Sequence, residues 1–251
     1  MQPDQISVIL LAAGVGRRLQ GLAAGPKVLL RFGGQTLLER HLAALHANGI
    51  EDITLTVGFE ADMIRAELAR LNLTDRVRLV ENPDFRQGSL VSLHVQAETM
   101  RSGRAVILMD GDVLYPPEMI ERLIAAPQEN VLLLDRNLEP GDEPVKICLK
   151  DGLIVDFRKR PVPDHDWHGE SVGFFRFSPA MAAILADVCA AYVQEGRTGE
   201  EYEEAIRDRI LLEPERFEAT DISDIPWTEI DFSEDVARAQ NIILPKLEAV
   251  A

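Results

Sequence analysis

The fold class is decided by the stretch Ile6-Ser7-Val8-Ile9-Leu10-Leu11-Ala12-Ala13-Gly14-Val15-Gly16. Its first half is a near-continuous aliphatic run, which is typical of a strand with both faces covered, as in a parallel sheet. The small residues that follow allow the backbone to approach a ligand closely, and glycines allow backbone N–H groups to converge on a phosphate. The stretch therefore predicts an internal strand of an α/β sheet that ends in an anion-binding loop.

Short β-rich runs alternate with helical stretches through the first half of the chain. Strands are predicted at 53–57, 77–80 and 105–109, and helices at 36–48, at 60–71, from Ser89 and from Pro116-Pro117. Thr36 and Glu39 match a capping box, and Gly49 is a favoured residue for the helix end. The alternation of strand and helix predicts a doubly wound, mainly parallel (Rossmann-like) sheet.

The pattern changes in the second half of the chain. Asp151-Gly152 lies between the β-rich runs 145–149 and 154–157, which is a strong hairpin signal. A turn is predicted at Pro140-Gly141-Asp142, a strand at 172–177, and mainly helix beyond it. The chain is thus interpreted as an α/β protein with an inserted antiparallel hairpin portion and a helical C-terminal region.

Composition excludes several classes of protein. The 251 residues carry 26 Lys and Arg against 42 Asp and Glu, and a formal net charge of −16 is unfavourable for binding a duplex nucleic acid or an anionic membrane through phosphates. No apolar run reaches the ~18 residues that a membrane span needs, and residues 1–5 lack the basic region of a signal peptide. We therefore expect a cytoplasmic protein that neither binds nucleic acid nor inserts into a membrane.

The cysteines and two histidines carry weak metal signals. Cys148 and Cys189 are the only cysteines, too few for a disulfide framework and without a metal-binding spacing. Both lie in apolar contexts and are predicted to be small core residues. His165 and His168 in His-Asp-Trp-His suggest a metal site, but no third ligand stands at a supporting spacing, which favours an ordinary surface loop.

Basic residues follow the glycine-rich stretch. Arg17, Arg18 and Lys27 could add charge-assisted contacts to a phosphate. A Rossmann dinucleotide motif fits poorly because Leu19 stands at its third glycine position, and a Walker loop is excluded because its Gly-Lys-Ser/Thr is missing. A tight strand-to-helix turn with surface basic residues is the alternative, so the loop alone does not decide the function.

Carboxylates stand in two strings that are far apart in the sequence. Asp110 and Asp112 follow the strand at 105–109, and a carboxylate at the carboxyl end of such a strand faces the ligand crevice of an open sheet. Asp231 lies in the string Pro226-Trp227-Thr228-Glu229-Ile230-Asp231-Phe232-Ser233-Glu234-Asp235. Mg²⁺ favours one or two carboxylates together with phosphate oxygens. Turn and cap roles are the alternative for Asp110 and Asp112. For the second string the alternative is a strand followed by a helix N-terminus capped by Ser233, which does not explain Trp227 and Asp231.

Taken together, the strings resemble a known family, the nucleotidyltransferases with a sugar-nucleotide-pyrophosphorylase-like fold. The family signature is matched by Leu11-Ala12-Ala13-Gly14-Val15-Gly16-Arg17-Arg18-Leu19 followed by Pro26-Lys27. The string from Trp227 to Asp235 closely resembles a segment of the phosphocholine, 2-aminoethylphosphonate and inositol-1-phosphate cytidylyltransferases. The resemblance extends over nearly the whole chain, from Ile6 to about Leu247.

The resemblance implies roles for individual residues. Arg18 and Lys27 are expected to be catalytic, stabilising the pyrophosphate that leaves, and Asp112 and Asp231 are expected to bind Mg²⁺. The segment 82–93 is expected to contact the nucleotide base, although a polar loop in which Ser89 caps the next helix is the alternative. The predicted nucleotide-binding residues are Leu11, Ala12, Ala13, Gly14, Gly16, Arg18, Lys27, Gln87, Gly88, Ser89 and Asp110.

Three residues are predicted to bind the acceptor. Lys146 is assigned to its phosphate, with an exposed strand position as the alternative. Glu170 is assigned to a hydroxyl or amine, and Glu204 to a cationic head group. A solvated helix face is the alternative for Glu204 and its neighbour Glu203. A quaternary ammonium prefers an aromatic cage, and aromatic residues make up only 6% of the chain, which counts against choline.

The predicted reaction is Mg²⁺-dependent transfer of CMP from CTP to a small phosphorylated or phosphonylated alcohol or amine, with release of pyrophosphate. Residues 1–251 are expected to form one domain, with a nucleotide-binding half (1–134) and an acceptor-binding portion (135–251); a break near residue 135 or 160 is the alternative. The competing hypotheses are a sugar-1-phosphate nucleotidyltransferase using UTP, GTP or dTTP, an inactive nucleotide-binding module, and a dinucleotide-dependent oxidoreductase. A homodimer is a further expectation that the sequence does not decide.

Overall fold

The computed structural model describes residues 2–19, 25–137, 144–161 and 164–250. Within them the strands are β1 Ile6–Ala12, β2 Arg31–Phe32, β3 Gln35–Thr36, β4 Asp52–Val57, β5 Val77–Glu81, β6 Ala105–Asp110, β7 Val113–Leu114, β8 Asn130–Asp135, β9 Lys146–Lys150, β10 Leu153–Arg158, β11 Trp167–Phe177, β12 Phe217–Asp221 and β13 Thr228–Glu229. The α-helices are α1 Leu37–Ala47, α2 Ala61–Arg70, α3 Ser89–His94, α4 Ala97–Met100, α5 Glu118–Ala125, α6 Pro179–Gln194, α7 Tyr202–Leu212, α8 Ser233–Arg238 and α9 Leu244–Val250. Short 3₁₀ turns lie at Pro3–Gln5, Arg17–Leu19, Lys27–Leu29 and Pro214–Arg216, and a π-helical turn at Ala239–Ile243 joins α8 to α9. None of the helices in the described ranges is long and apolar enough to cross a membrane.

The main sheet runs in the order β5-β4-β1-β6-β11-β8-β12. β11 is antiparallel to both of its neighbours, β6 and β8, whereas the other neighbouring pairs are parallel. The hairpin of β9 and β10 pairs with the beginning of β11, from Trp167 to Glu170. The predicted doubly wound, mainly parallel sheet with an inserted antiparallel hairpin is confirmed.

Hydrophobic layers cover both faces of the sheet because side chains alternate along β1. Val8 and Leu10 pack on one side with residues of α1, α2 and α5, and Ile9 packs on the other with residues of α3, α6 and α7. All three side chains are fully buried, and each such burial contributes about 1.5–3 kcal/mol. With both faces covered, the loops at the carboxyl ends of the strands are where a ligand can bind.

Helix α1 ends as its sequence predicts. The Thr36 hydroxyl accepts a hydrogen bond from the Glu39 N–H (3.1 Å), which satisfies an N–H group in the first turn that has no partner within the helix. At the other end Gly49 takes a positive φ of 73°, the conformation in which glycine commonly ends a helix. The predicted helix at 36–48 is therefore confirmed.

Several strands differ from the sequence-based expectation. β8 is a short apolar run without alternation, a pattern that does not separate strand from helix, and β12 is recognisable only because it pairs in parallel with β8. β11 begins at Trp167 rather than at residue 172 because pairing with β9 extends it. The C-terminal region, predicted as mainly helical, thus also contains β12 and β13. The turn predicted at Pro140-Gly141-Asp142 lies outside the described residues.

Candidate active site

The glycine-rich loop and both carboxylate strings meet at the carboxyl ends of β1 and β6. These strands are neighbours, and Leu11 pairs with Asp110 in their register. A cleft of about 410 Å³ opens there, and it is called the main cleft because most of the predicted site residues line it. It shares part of its lining with a second cavity of about 240 Å³. The predicted site residues that line one or both are Leu11, Ala12, Ala13, Gly14, Gly16, Arg18, Lys27, Gln87, Gly88, Ser89, Asp110, Asp112 and Asp231.

A short two-stranded ladder brings Asp231 to Asp112. β13 pairs antiparallel with β7, with Glu229 opposite Val113. The Ile230 N–H donates to the Asp112 carbonyl at 2.9 Å. The ladder therefore sets the C-terminal string beside the loop that follows β6, as a metal site shared by the two aspartates requires.

Lys27 joins the two aspartates. Its Nζ donates to Asp112 Oδ2 at 2.7 Å and to Asp231 Oδ1 at 2.6 Å, although Lys27 and Asp231 are 204 positions apart. Burial alone would lower the pKa of Lys27, but the charges of both carboxylates outweigh it and the pKa is raised. Arg18 also reaches Asp231, with its Nη1 3.2 Å from Oδ2, and its guanidinium lies over the Phe232 ring. The two predicted catalytic cations therefore lie directly against the predicted metal ligands.

Glu229 is a third carboxylate at this point, and it is not among the site residues predicted from the sequence. One carboxylate oxygen from each of Asp112, Glu229 and Asp231 lies within 4.8 Å of the others. Burial raises the pKa of Glu229 well above its ordinary value, and the negative charges of Asp112, Asp231 and Asp110 raise it further. A hard divalent cation takes oxygen ligands and would offset this repulsion, so the residues fit Mg²⁺. The signal in the sequence is the spacing of two between Glu229 and Asp231, which places both on one face of an extended chain.

Asp110 lines the same cleft as the metal-site carboxylates. The Tyr202 hydroxyl donates to Asp110 Oδ2 at 2.6 Å. Burial raises the pKa of Asp110 well above its ordinary value, and the negative charges of Asp112 and Glu203 raise it further. Its role in nucleotide binding stays a prediction, and Tyr202 is a contact that sequence spacing alone does not reveal.

Gly173 gives Asp110 its space, and its replacement by alanine is expected to destabilise the protein. Gly173 has a φ of +73°, and a Cβ at this position would overlap the Asp110 carboxylate; Gly152, at φ +82°, has no atom near such a Cβ. Gly152→Ala is expected to cost about 1 kcal/mol of unfolding free energy for its backbone conformation. Gly173→Ala should cost about 1–3 kcal/mol more, because overpacking adds that much. Urea unfolding measures both, and equal losses would contradict the close packing.

The predicted base-binding loop is closed by the segment that leads into α7. The Ser89 N–H and hydroxyl donate to the Glu201 carboxylate at 3.1 and 2.5 Å, and the Tyr202 N–H donates to Ser89 Oγ at 2.9 Å. The Gly88 N–H donates to the Thr198 carbonyl at 2.9 Å. Ser89 is thus the first residue of α3 and bonds to α7, which corrects the alternative in which it caps its own helix. Base contact by residues 87–89 stays a prediction.

Two predicted acceptor residues face each other on neighbouring strands. Lys146 of β9 pairs with Glu170 of β11. Lys146 is buried, and its Nζ donates to the carbonyls of Pro144 (3.2 Å) and Lys159 (3.0 Å). Neither Lys146 nor Glu170 lines the main cleft, whereas Val145 and Lys159 do.

The third predicted acceptor residue, Glu204, turns away from the main cleft. Its carboxylate pairs with Arg158 at 3.2 Å and lines a neighbouring cavity. Glu203, its neighbour, lines both that cavity and the main cleft. Among the described residues, the buried Glu203 Oε2 has no hydrogen-bond partner, and burial raises the pKa of Glu203 to about 7. The structure therefore places Glu203, rather than Glu204, beside Asp110.

A buried histidine supports the loop between Asp110 and Asp112. His41 of α1 lies 3.1 Å by its Nε2 from the Gly111 carbonyl and 3.1 Å by its Nδ1 from the Tyr115 hydroxyl. Burial lowers the pKa of His41 to about 4, so the ring is neutral at pH 7. A neutral ring can donate to the carbonyl through Nε2 and accept from Tyr115 through Nδ1. Nothing in the sequence marks His41 as more than a helix residue.

The fold and the site define an α/β protein with a carboxylate cluster at the carboxyl ends of its strands. Residues 8–159 match the model of the MobA-like NTP transferase domain. The chain belongs to this family, and the resemblance inferred from its motifs is confirmed.

Individual relatives are similar over most of this chain. It is 30% identical, over 96% of its length, to the bifunctional IPC transferase and DIPP synthase of Rubrobacter xylanophilus. It is 27% identical, over 98% of its length, to the CMP-5'-(3-aminopropyl)phosphonate synthase of Streptomyces rubellomurinus. The chain spans about half or less of these proteins, 52% and 40% of their lengths. Among solved structures, the inositol-1-phosphate CTP transferase from T. maritima superposes with a TM-score of 0.73 at 21% identity, covering 98% of this chain and 96% of that one.

Proposed function

We propose that the protein is a Mg²⁺-dependent cytidylyltransferase that transfers CMP from CTP to a small phosphorylated or phosphonylated acceptor and releases pyrophosphate. The observation that carries the proposal is the position of the Lys27 ammonium, which bridges Asp112 and Asp231 beside the glycine-rich loop. Carboxylates for a metal and cations for phosphates thus meet at one end of the sheet. Relatives named for CMP and CTP chemistry support the choice of nucleotide.

In the proposed reaction an anionic oxygen of the acceptor attacks the α-phosphorus of CTP. A bond forms between that oxygen and the α-phosphorus, and the bond from the α-phosphorus to the bridging oxygen breaks, so that pyrophosphate leaves with the electron pair. Because the acceptor oxygen is already ionised, no general base is required. Catalysis then rests on positioning and on neutralising charge.

The chain's own residues contribute to that positioning and neutralisation. Asp112 and Asp231, with Glu229 beside them, would hold Mg²⁺, which supplies Lewis-acid polarisation of the α-phosphate. The N–H groups of the glycine-rich loop would orient the triphosphate. Lys27 and Arg18 would stabilise the negative charge that develops on pyrophosphate as it departs, since prearranged charges act strongly in a partly dry cleft.

The charges of the cleft favour an acceptor that carries a cationic amine. Asp110, Glu201 and Glu203 line the part of the cleft next to Tyr202. Glu203 offers a buried oxygen without a partner in the described residues, and an ammonium group would satisfy it with a charge-assisted hydrogen bond. We therefore assign the amine-binding role to Glu203 in preference to Glu204, which already pairs with Arg158.

Glu203→Gln is expected to lower kcat/KM for an aminated acceptor by about 10- to 100-fold, because a hydrogen bond to a charged group contributes about 1.5–3 kcal/mol. The non-aminated analogue should lose little. In the wild type, kcat/KM for the amine should rise as pH increases through about 7, the pKa to which burial raises Glu203. Comparing 2-aminoethylphosphonate with ethylphosphonate measures the effect. Glu204→Gln is the matched control, and a loss confined to that variant would return the role to Glu204.

The raised pKa of Glu203 also predicts how stability depends on pH. The folded protein holds the proton up to about pH 7, whereas the unfolded chain releases it near 4.5. The stability linked to that proton is fully present below pH 4.5 and is lost as pH rises to 7, which amounts to roughly 3 kcal/mol. Glu203→Gln should remove this part of the pH dependence.

Pyrophosphate release tests the proposed reaction. The protein with Mg²⁺ is offered each nucleoside triphosphate together with 2-aminoethylphosphonate, phosphocholine, inositol phosphate, glycerol phosphate and several sugar 1-phosphates. Release with CTP and a small phospho- or phosphono-acceptor supports the proposal. Release only with a sugar 1-phosphate would move the protein to the sugar-nucleotide branch, and silence with every pair would contradict a transferase acting on these acceptors.

A further inference from the structure

A cysteine and two histidines meet where strand β9 of the hairpin pairs with β11, separate from the carboxylate cluster of Asp112, Glu229 and Asp231. Cys148 of β9 and His168 of β11 are directly opposite in the antiparallel register, so their side chains share one face. His165 completes the group, with its Nε2 2.9 Å from His168 Nδ1. One ligand atom of each of Cys148, His165 and His168 lies within 4.8 Å of the other two.

These atoms are the ligands that a soft or borderline transition metal prefers. A tetrahedral Zn²⁺ with Zn–S near 2.3 Å and Zn–N near 2.0–2.1 Å places its ligand atoms roughly 3.3–3.6 Å apart. Small side-chain adjustments would bring the group to that spacing. Three protein ligands leave one tetrahedral position for water.

The thiol of this group lies inside the protein, since Cys148 is fully buried. A metal ion that binds here would displace the proton of the Cys148 thiol and would take the imidazoles of His165 and His168 in their neutral form.

A hydrogen bond between the histidines accounts for their mutual contact, but it does not account for the buried thiol beside them. We propose that Cys148, His165 and His168 bind one transition-metal ion of the Zn²⁺ class. The ion would tie the segment that precedes β11 to the hairpin strand β9. This sulfur–nitrogen site is chemically distinct from the oxygen-only cluster of Asp112, Glu229 and Asp231.

A Co²⁺ titration of the metal-stripped full chain tests the site, in excess Mg²⁺ so that the carboxylate cluster is filled. Bound Co²⁺ with a thiolate ligand gives a sulfur-to-metal charge-transfer absorption that carboxylate coordination lacks. We expect one equivalent of Co²⁺ to produce this absorption and Zn²⁺ to abolish it. Absence of the thiolate absorption in the wild-type protein would overturn the proposal.

Variants assign the signal to residues. Cys148→Ala should remove the absorption, whereas Cys189→Ala, which changes the other buried free thiol, should leave it unchanged. His165→Asn, at a half-buried position, should weaken Co²⁺ binding by more than about 10-fold, because even a change outside the ligand shell can cost that much. An unchanged absorption in Cys148→Ala, its loss in Cys189→Ala, or unchanged affinity in His165→Asn would contradict the assignment.

Discussion

Asp112→Asn is expected to lower the rate of pyrophosphate release at least about 1000-fold, which corresponds to about 4 kcal/mol of activation free energy. The amide keeps the size of the side chain but removes its negative charge. In the wild type, Lys27 donates to the carboxylates of both Asp112 and Asp231. A divalent cation would lose one of its carboxylate ligands, and the charge on the reacting phosphates would no longer be neutralised. Steady-state rates with saturating CTP and Mg²⁺ measure the loss.

The fold should survive this substitution. Asp112 carries no hydrophobic packing, and removing one carboxylate relieves repulsion with Glu229, the pKa of which is raised by burial and by its acidic neighbours. Asp187→Asn is the control, since Asp187 forms an exposed ion pair with Arg101; its activity should be normal. An Asp112→Asn protein that is folded and retains about a tenth or more of the wild-type rate would contradict the metal assignment.

Lys27→Met is expected to impair stability and turnover together. Its ammonium is the cation bridging Asp112 and Asp231, and methionine would leave those partly buried carboxylates without this charge. In EDTA we expect a loss of about 2–3 kcal/mol of unfolding free energy, somewhat below the 3–5 kcal/mol typical of a fully buried pair. Because the carboxylates raise the pKa of Lys27, this contribution is fully present below the ordinary value of 10.5 and declines only in strongly alkaline solution.

Mg²⁺ should restore part of the stability of Lys27→Met but not its activity. A divalent cation can neutralise the carboxylates, whereas the charge that Lys27 contributes to departing pyrophosphate would still be missing, at an expected cost of about 100-fold or more in kcat. Lys150→Met is the matched control, because Lys150 pairs with exposed Asp164 at 2.6 Å and its replacement should change stability little. Equal behaviour of the two variants would contradict the bridging role of Lys27.

The fold could be predicted wherever local pattern and tertiary environment agree. The aliphatic run of β1 and the capped helix α1 form as their sequences predict. β8 and β12 could not be predicted in the same way, because a short apolar run and a short mixed segment become strands only through their pairing with each other and with β11.

The candidate site shows the same division. The strings around Lys27, Asp112 and Asp231 could be recognised by family resemblance, whereas their convergence depends on the ladder of β7 and β13. Contacts between distant segments left no local signal. Tyr202 reaches Asp110 from α7, and Cys148 meets His168 across neighbouring strands rather than at a metal-binding spacing in the sequence.

Transfer of CMP by the chain can be followed with labelled CTP. The protein, Mg²⁺ and 2-aminoethylphosphonate are incubated with CTP labelled at either the α- or the γ-phosphate. We expect the α-label in a product joined to the acceptor and the γ-label in pyrophosphate, and we expect EDTA to abolish both. Label from the γ-phosphate on the acceptor, or pyrophosphate release without α-label in the acceptor product, would contradict CMP transfer.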